Sequence, residues 1–131
     1  MTSGYLADTS VFVAAEQRRT LGRPPDGDAR ISVATLTELI VGVRRADGSL
    51  LTLREATLAR ARTFVALAYD EAVAEQLADL LSAARATGRR AGAMDAIIAA
   101  TALVHDLSVW TQDGDFDVLA ELAPALLVHR G

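Results

Sequence analysis

Short, unbroken apolar runs alternate along this chain with longer helix-forming stretches, and that alternation limits the folds open to it more than any other feature. Tyr5–Ala7, Ile31–Val33, Phe64–Ala68 and Ser108–Thr111 are the strand candidates. Each lacks the apolar/polar alternation of a half-exposed strand, so each is expected to be covered on both faces, as strands of parallel sheets are. Between them lie Val11–Gln17, Thr35–Arg45, Leu50–Arg62, Glu71–Thr87 and Met94–His105, all read as helices. Glu71–Thr87 carries the stripe Val73, Leu77, Leu80 and Leu81 and stops at Gly88, a residue suited to a helix C-terminus. Met94–His105 is nearly all apolar after Asp95 and should be buried, whereas Arg54 breaks the apolar stripe of Leu50–Arg62. Thr20–Arg30 holds two of the three prolines and reads as a surface loop. A short helix at Val118–Leu122 and a last edge strand at Pro124–Val128 close the pattern. The expectation is an α/β domain of three layers, α/β/α, with a short-stranded, mainly parallel central sheet. At 131 residues the chain is one domain, residues 1–131.

The side chains that are missing narrow the chemistry. With 51% hydrophobic and only 5% aromatic residues, the core must be aliphatic. There is no cysteine, which removes thiol nucleophiles, disulfides and thiolate metal sites. All 13 basic residues are arginine, which removes a P-loop lysine and Schiff-base chemistry. The two histidines, His105 and His129, sit in no nucleophile or metal motif. Carboxylates remain. The N-terminal stretch lacks a basic leader and is interrupted by Asp8, and no uncharged run is long enough to span a membrane, so a cytoplasmic protein with no membrane partner is expected.

Five carboxylates stand out. Asp8 and Asp113 each follow a strand candidate, and strand C-termini are where open parallel sheets form ligand crevices; both also suit ordinary caps or turns. Glu38 lies among Ala34, Thr35, Val41 and Gly42 on a helix, where a charge needs a compensating cation or an arginine such as Arg45. Asp95 opens the most apolar helix, where the helix N-terminus favours negative charge. Asp113 and Asp115 belong to the acidic turn Thr111–Asp117. That turn is not an EF-hand, because the twelfth position counted from Asp113 is Pro124 instead of a bidentate glutamate. Oxygen donors of this kind suit Mg²⁺ or Mn²⁺, which bind through a few carboxylates plus substrate phosphate and activate water.

Four blocks now form a recognisable order: Tyr5-Leu6-Ala7-Asp8-Thr9-Ser10, Ser32-Val33-Ala34-Thr35-Leu36-Thr37-Glu38-Leu39, Met94-Asp95-Ala96-Ile97-Ile98-Ala99-Ala100-Thr101-Ala102, and Thr111-Gln112-Asp113-Gly114-Asp115-Phe116-Asp117. Together they resemble the PIN-domain nucleases, and within them the VapC toxins of bacterial toxin–antitoxin pairs. The resemblance implies a Mg²⁺- or Mn²⁺-dependent endoribonuclease, a homodimer, silenced by a VapB-type antitoxin. It implies that Asp8, Glu38 and Asp95 hold the metal. The fourth acid falls in the Thr-Gln-Asp turn, where many relatives carry asparagine in place of Asp113, leaving Asp113 or Asp115 as the nearer ligand. Thr9, Ser10 and Thr111 match positions that hydrogen-bond within such sites.

A net charge of −4 opposes a general grip on nucleic acid, so RNA contacts must be local. The arginines do cluster: Arg18, Arg19 and Arg23; Arg44 and Arg45; Arg85, Arg89 and Arg90. Arg89 and Arg90 precede Asp95 and are candidates to hold RNA at the rim of the site, and the helices from Thr35 to Arg62 offer a groove for an antitoxin helix. Two other readings compete. A haloacid-dehalogenase-like phosphotransferase would use Asp8 as nucleophile, but Ser10 stands where a second aspartate is wanted and the needed lysine is absent. A catalytically inactive, PIN-like partner-binding module is the other, although all its acidic positions are filled.

Overall fold

The computed structural model describes residues 4–131; the expected lack of a basic leader falls partly on Met1–Ser3, which lie outside the described residues. The elements run β1 (Gly4–Ala7), α1 (Thr9–Glu16), β2 (Asp28–Ser32), α2 (Val33–Arg44), α3 (Gly48–Ala61) and β3 (Val65–Leu67). They continue with α4 (Glu71–Ala86), α5 (Ala93–Val104), β4 (Ser108–Thr111), α6 (Asp117–Leu122) and β5 (Val128–Arg130). The strands form one sheet in the order β3-β2-β1-β4-β5, and every neighbouring pair is parallel. The sheet is thus wholly parallel, and each strand reaches its parallel neighbour through helix.

Side-chain alternation explains the unbroken apolar runs. Leu6 and Val109 point to the face covered by α4, α5 and α6, and pack with Val73, Leu80, Ile98 and Leu119. Their strand neighbours Tyr5, Ala7 and Trp110 point to the opposite face and pack with Val11, Phe12, Leu39 and Leu58 from α1–α3. A strand covered on both sides has no polar face to display. Helix α5 is the buried helix expected, with Ala96, Ile98, Ala99, Ala100 and Ala102 fully shielded. Its small side chains let it lie close to the sheet and to α4.

The chain leaves the sequence reading at three strands. β2 begins at Asp28, inside the stretch read as loop, and ends at Ser32, whose hydroxyl accepts the Ala34 N–H at 3.0 Å and caps α2. Val33 therefore belongs to the helix. The start of β1 is fitted against β2 by Gly4, where a Cβ would stand 2.4 Å from the Asp28 carbonyl oxygen. β3 is an edge strand covered only in part: Val65 is 63% exposed, so the Phe64–Ala68 run is not a buried strand. The last strand is Val128–Arg130 instead of Pro124–Val128, because Pro124 has no N–H for a ladder and the Leu126 N–H closes a turn onto Ala123 at 2.9 Å.

Polar residues that interrupt α3 serve as ties. Arg54 Nη1 donates to the Gly42 carbonyl at 2.8 Å, joining α3 to α2, and the Thr57 hydroxyl donates to Glu16 Oε1 at 2.8 Å, joining it to α1. Helices α1, α4 and α5 end alike, with a left-handed residue whose successor's N–H reaches back to the last turn: Arg19 to Ala14, Arg89 to Ala84, Leu107 to Ala102. Gly88 fills the left-handed position after α4 as expected, but Arg18 (φ 57°) and Asp106 (φ 53°) fill it after α1 and α5. Among the described residues, no helix is long and apolar enough to cross a membrane.

The packing of α5 yields a direct test. Ile98→Ala should remove about 3 kcal/mol of stability, because the surrounding sheet and α4 leave little freedom to collapse into the void. Leu81→Ala, at a position 45% exposed, should cost less than about 1 kcal/mol. Urea midpoints for both variants, at unchanged slope, are the measurement.

Candidate functional site

In this strand order the chain turns one way from β1 to β2 and β3, and the other way to β4 and β5. The crevice of such a sheet opens between the C-terminal ends of the two strands where the order reverses, here β1 and β4. Asp8 follows β1, and the acidic turn follows β4. Helices α2 and α5 bring Glu38 and Asp95 from the sides. Asp8, Thr9, Ser10, Glu38, Asp95, Asp113 and Asp115 all line one cleft of about 310 Å³, together with Val13 and Arg19.

Asp8 is the deepest, at 3% exposed, and caps α1. One oxygen takes every donor. Asp8 Oδ2 accepts from the Ser10 hydroxyl at 2.7 Å, the Thr111 hydroxyl at 3.0 Å and the Ser10 N–H at 3.3 Å. The Ser10 oxygen in turn accepts the Gln112 N–H at 2.9 Å, and the Thr111 oxygen the Asp113 N–H at 3.3 Å. The two hydroxyls therefore stitch the end of β1 to the turn after β4.

Among the described residues, no arginine pairs with Glu38. The Thr9 hydroxyl donates to its Oε1 at 2.6 Å, and Thr9 lies 3.1 Å from the buried Thr35 hydroxyl. Arg45 instead lines an adjoining groove of about 450 Å³ between α1, α2 and α3, with Val13, Leu39, Val41, Arg54 and Met94. Gly92 occupies the N-cap position of α5, and Asp95 sits half-buried in its first turn. In the acidic turn, Asp113 Oδ1 accepts the Asp115 N–H at 3.1 Å, and Asp113 is the more buried of the two.

Gathering these groups strains their ionisation. Burial raises the Asp8 carboxyl above its ordinary range, against the lowering effect of its hydroxyl donors. Burial raises Glu38 too, partly countered by Thr9. Asp95 is pushed up to about 7, first by burial and then by the charges of Asp8, Asp115, Glu38 and Asp113. Among the described residues no hydrogen-bond donor reaches its side chain, so Asp95 feels both its burial and the charges of the other acids unrelieved. Among the described residues, no three acids stand close enough together to enclose an ion by themselves.

Of the remaining sequence candidates, Arg89 and Arg90 do not line the cleft. Arg89 is ion-paired with Glu121 at 2.7 Å, across α4 and α6. Sequence reasoning placed neither Val13, Thr35 nor Arg19 at the site. Thr35 lies one helical turn before Glu38, a spacing that offered a signal. Arg19 depends on the left-handed turn at Arg18, which no residue preference announces.

A protein-family model, the PIN domain, matches residues 5–122. The chain is 40% identical over 122 residues to "Ribonuclease VapC4" of Mycobacterium tuberculosis, covering 89% of this chain and 92% of that protein. It is 43% identical over 100 residues to "Ribonuclease VapC8" of the same organism, covering 74% and 88%. Among solved structures it resembles a VapBC-5 toxin–antitoxin structure from M. tuberculosis, with a TM-score of 0.83 and 31% identity over 98% of this chain and 99% of that one. With its fold, its acidic crevice and these relatives in agreement, the chain belongs to the PIN-domain family, in its VapC branch.

Proposed function

We propose that this chain is a Mg²⁺- or Mn²⁺-dependent endoribonuclease and the toxin of a type II toxin–antitoxin pair. The observation that carries the reading is the convergence of five carboxylates, from four separate segments, on one cleft at the sheet's switch point. Relatives named ribonucleases supply the reaction class.

The donor set fits a hard divalent cation: all five acids offer oxygen, and their mutual repulsion favours a positive guest. Because among the described residues no three acids enclose an ion directly, a cation that keeps several of its waters suits the cleft, as Mg²⁺ does. Asp8, Glu38, Asp95 and Asp113 are the residues to hold it, with Asp115 at the open edge. When bound, the cation supplies a water acidified enough to attack a phosphodiester and charge to stabilise the phosphate as it reacts. The chain's own residues prepare that chemistry. Ser10 and Thr111 engage Asp8 Oδ2 and hold that carboxylate in place, while Thr9 anchors the carboxylate of Glu38. Thr111 and the Asx turn at Asp113 hold the fourth acid against the strand end.

The groove beside the cleft, apolar at Val13, Leu39, Val41 and Met94 and cationic at Arg45 and Arg54, is the surface for a VapB-type antitoxin segment. A segment lying there runs directly past Thr9 and Glu38, which line both hollows. The active unit in this reading is a homodimer.

Asp8→Asn and Asp95→Asn should each lower cleavage of RNA by at least about a hundredfold while retaining the fold, the size of loss typical when a group that stabilises reacting charge is removed. Cleavage by either variant at the parental rate would remove the carboxylates from the reaction. The pH dependence follows from Asp95. Its folded carboxyl titrates near 7 and its unfolded one near 3.8, so the folded chain binds the extra proton between those values. Stability of the metal-free protein is then greatest below that window and declines as pH rises through it. Melting temperatures should accordingly fall from about pH 5 to about pH 8, recover on addition of Mn²⁺, and depend less on pH in Asp95→Asn. A flat profile in the parent would show that Asp95 carries no such burden.

A further inference from the structure

Among the described residues, Arg19 is the one cationic side chain lining the acidic cleft. It reaches that place through an uncommon backbone turn. After α1, Arg18 adopts φ 57°, its N–H returns to the Ala15 carbonyl at 3.1 Å, and the Arg19 N–H returns to Ala14 at 2.9 Å. A residue with a Cβ is disfavoured there, and glycine is the usual occupant. The reversal brings the chain back over the C-terminal end of the sheet and sets Arg19 beside Asp8, Glu38, Asp95, Asp113 and Asp115. Yet among the described residues no ion pair joins Arg19 to any of these acids, whereas Arg89 and Arg130 each hold a carboxylate within 4.0 Å.

A guanidinium at the rim of a carboxylate cluster, with its donors uncommitted, is arranged to meet an anion that enters from outside. Its planar fork of N–H groups matches two oxygens of a phosphate. The chain has a net charge of −4 and no lysine, so a phosphodiester approaching five acids needs a local positive contact beyond any bound cation. We propose that Arg19 is the phosphate-binding residue of this cleft, engaging the non-bridging oxygens of the RNA backbone at the site of cleavage. The assignment rests on the ribonuclease reading above and gives that site its missing substrate contact.

The test uses the full chain, with Asp95→Asn as the non-cleaving background. Binding of a fluorescein-labelled, mixed-sequence single-stranded RNA in the presence of Mg²⁺ is followed by anisotropy at several salt concentrations. Adding Arg19→Gln should weaken binding about tenfold and reduce the salt slope by about 0.7, the loss of one phosphate contact on a single strand. Arg19→Lys should recover the salt slope but not the full affinity, because an ammonium lacks the fork. In the cleaving parent, Arg19→Gln should lower kcat/KM by a factor of about ten or more. A calorimetric Mg²⁺ titration separates the competing role of an internal counter-ion. Cation affinity within about threefold of the parent supports the phosphate role; a tenfold tightening with RNA binding intact overturns it. Parental cleavage with Arg19→Gln binding RNA equally well overturns the Arg19 assignment alone. A parent that neither binds nor cuts RNA overturns the ribonuclease reading and the Arg19 assignment together.

Discussion

The repulsion among carboxylates at the end of the sheet is the force that the rest of this structure has to contain. Five acids share one cleft, and the pKa of Asp95, raised to about 7 first by burial and then by the charges of Asp8, Asp115, Glu38 and Asp113, records the cost of that placement. A flexible loop would relieve such repulsion by drifting apart. Here the acids are fixed to the ends of β1 and β4 and to the first two turns of α5 and α2, elements whose positions are set by two cores pressing on the sheet from opposite sides. The aliphatic interior and the acidic crevice are therefore two aspects of one arrangement: burial energy holds charges where their own interaction would not leave them.

The hydroxyls mediate between the two. Ser10, Thr9 and Thr111 accompany the acids in the same short segments, and each donates to a carboxylate contributed by another part of the fold or by its own turn. Such donors stabilise the charged form at positions where desolvation opposes it. They also commit one oxygen of Asp8, Oδ2, to donors from the protein, which fixes the orientation of that carboxylate.

Much of this could be read from the residues. The double-sided apolar runs announced a parallel sheet between helical layers, and the four acidic blocks announced Asp8, Glu38, Asp95 and the turn after β4. What escaped was set by tertiary context. The length of β2 depends on pairing with β1, which extends it back to Asp28, and β3 is apolar yet exposed because it lies at the sheet's edge. β5 moved past Pro124 because a ladder needs N–H groups and a turn claimed the residues after it. At the site, Arg89 looked suited to the rim by its place in the chain, but Glu121 holds it elsewhere. Arg19 looked like one of several surface arginines, because only the backbone conformation of the residue before it turns it toward the acids.

The central pairing of β1 with β4 joins residues more than a hundred positions apart: the Thr111 hydroxyl that closes on Asp8 is separated from it by 103 residues. Contacts of such span form late, after the loop-closure entropy has been met. On the ribosome the order is stricter still, since synthesis proceeds from the N-terminus and β4 follows all but one of the helices. A nascent chain carrying Asp8, Glu38 and even Asp95 has no crevice between β1 and β4 in which to gather them. The topology thus lets the acidic crevice assemble only once the sequence through β4 is available to fold.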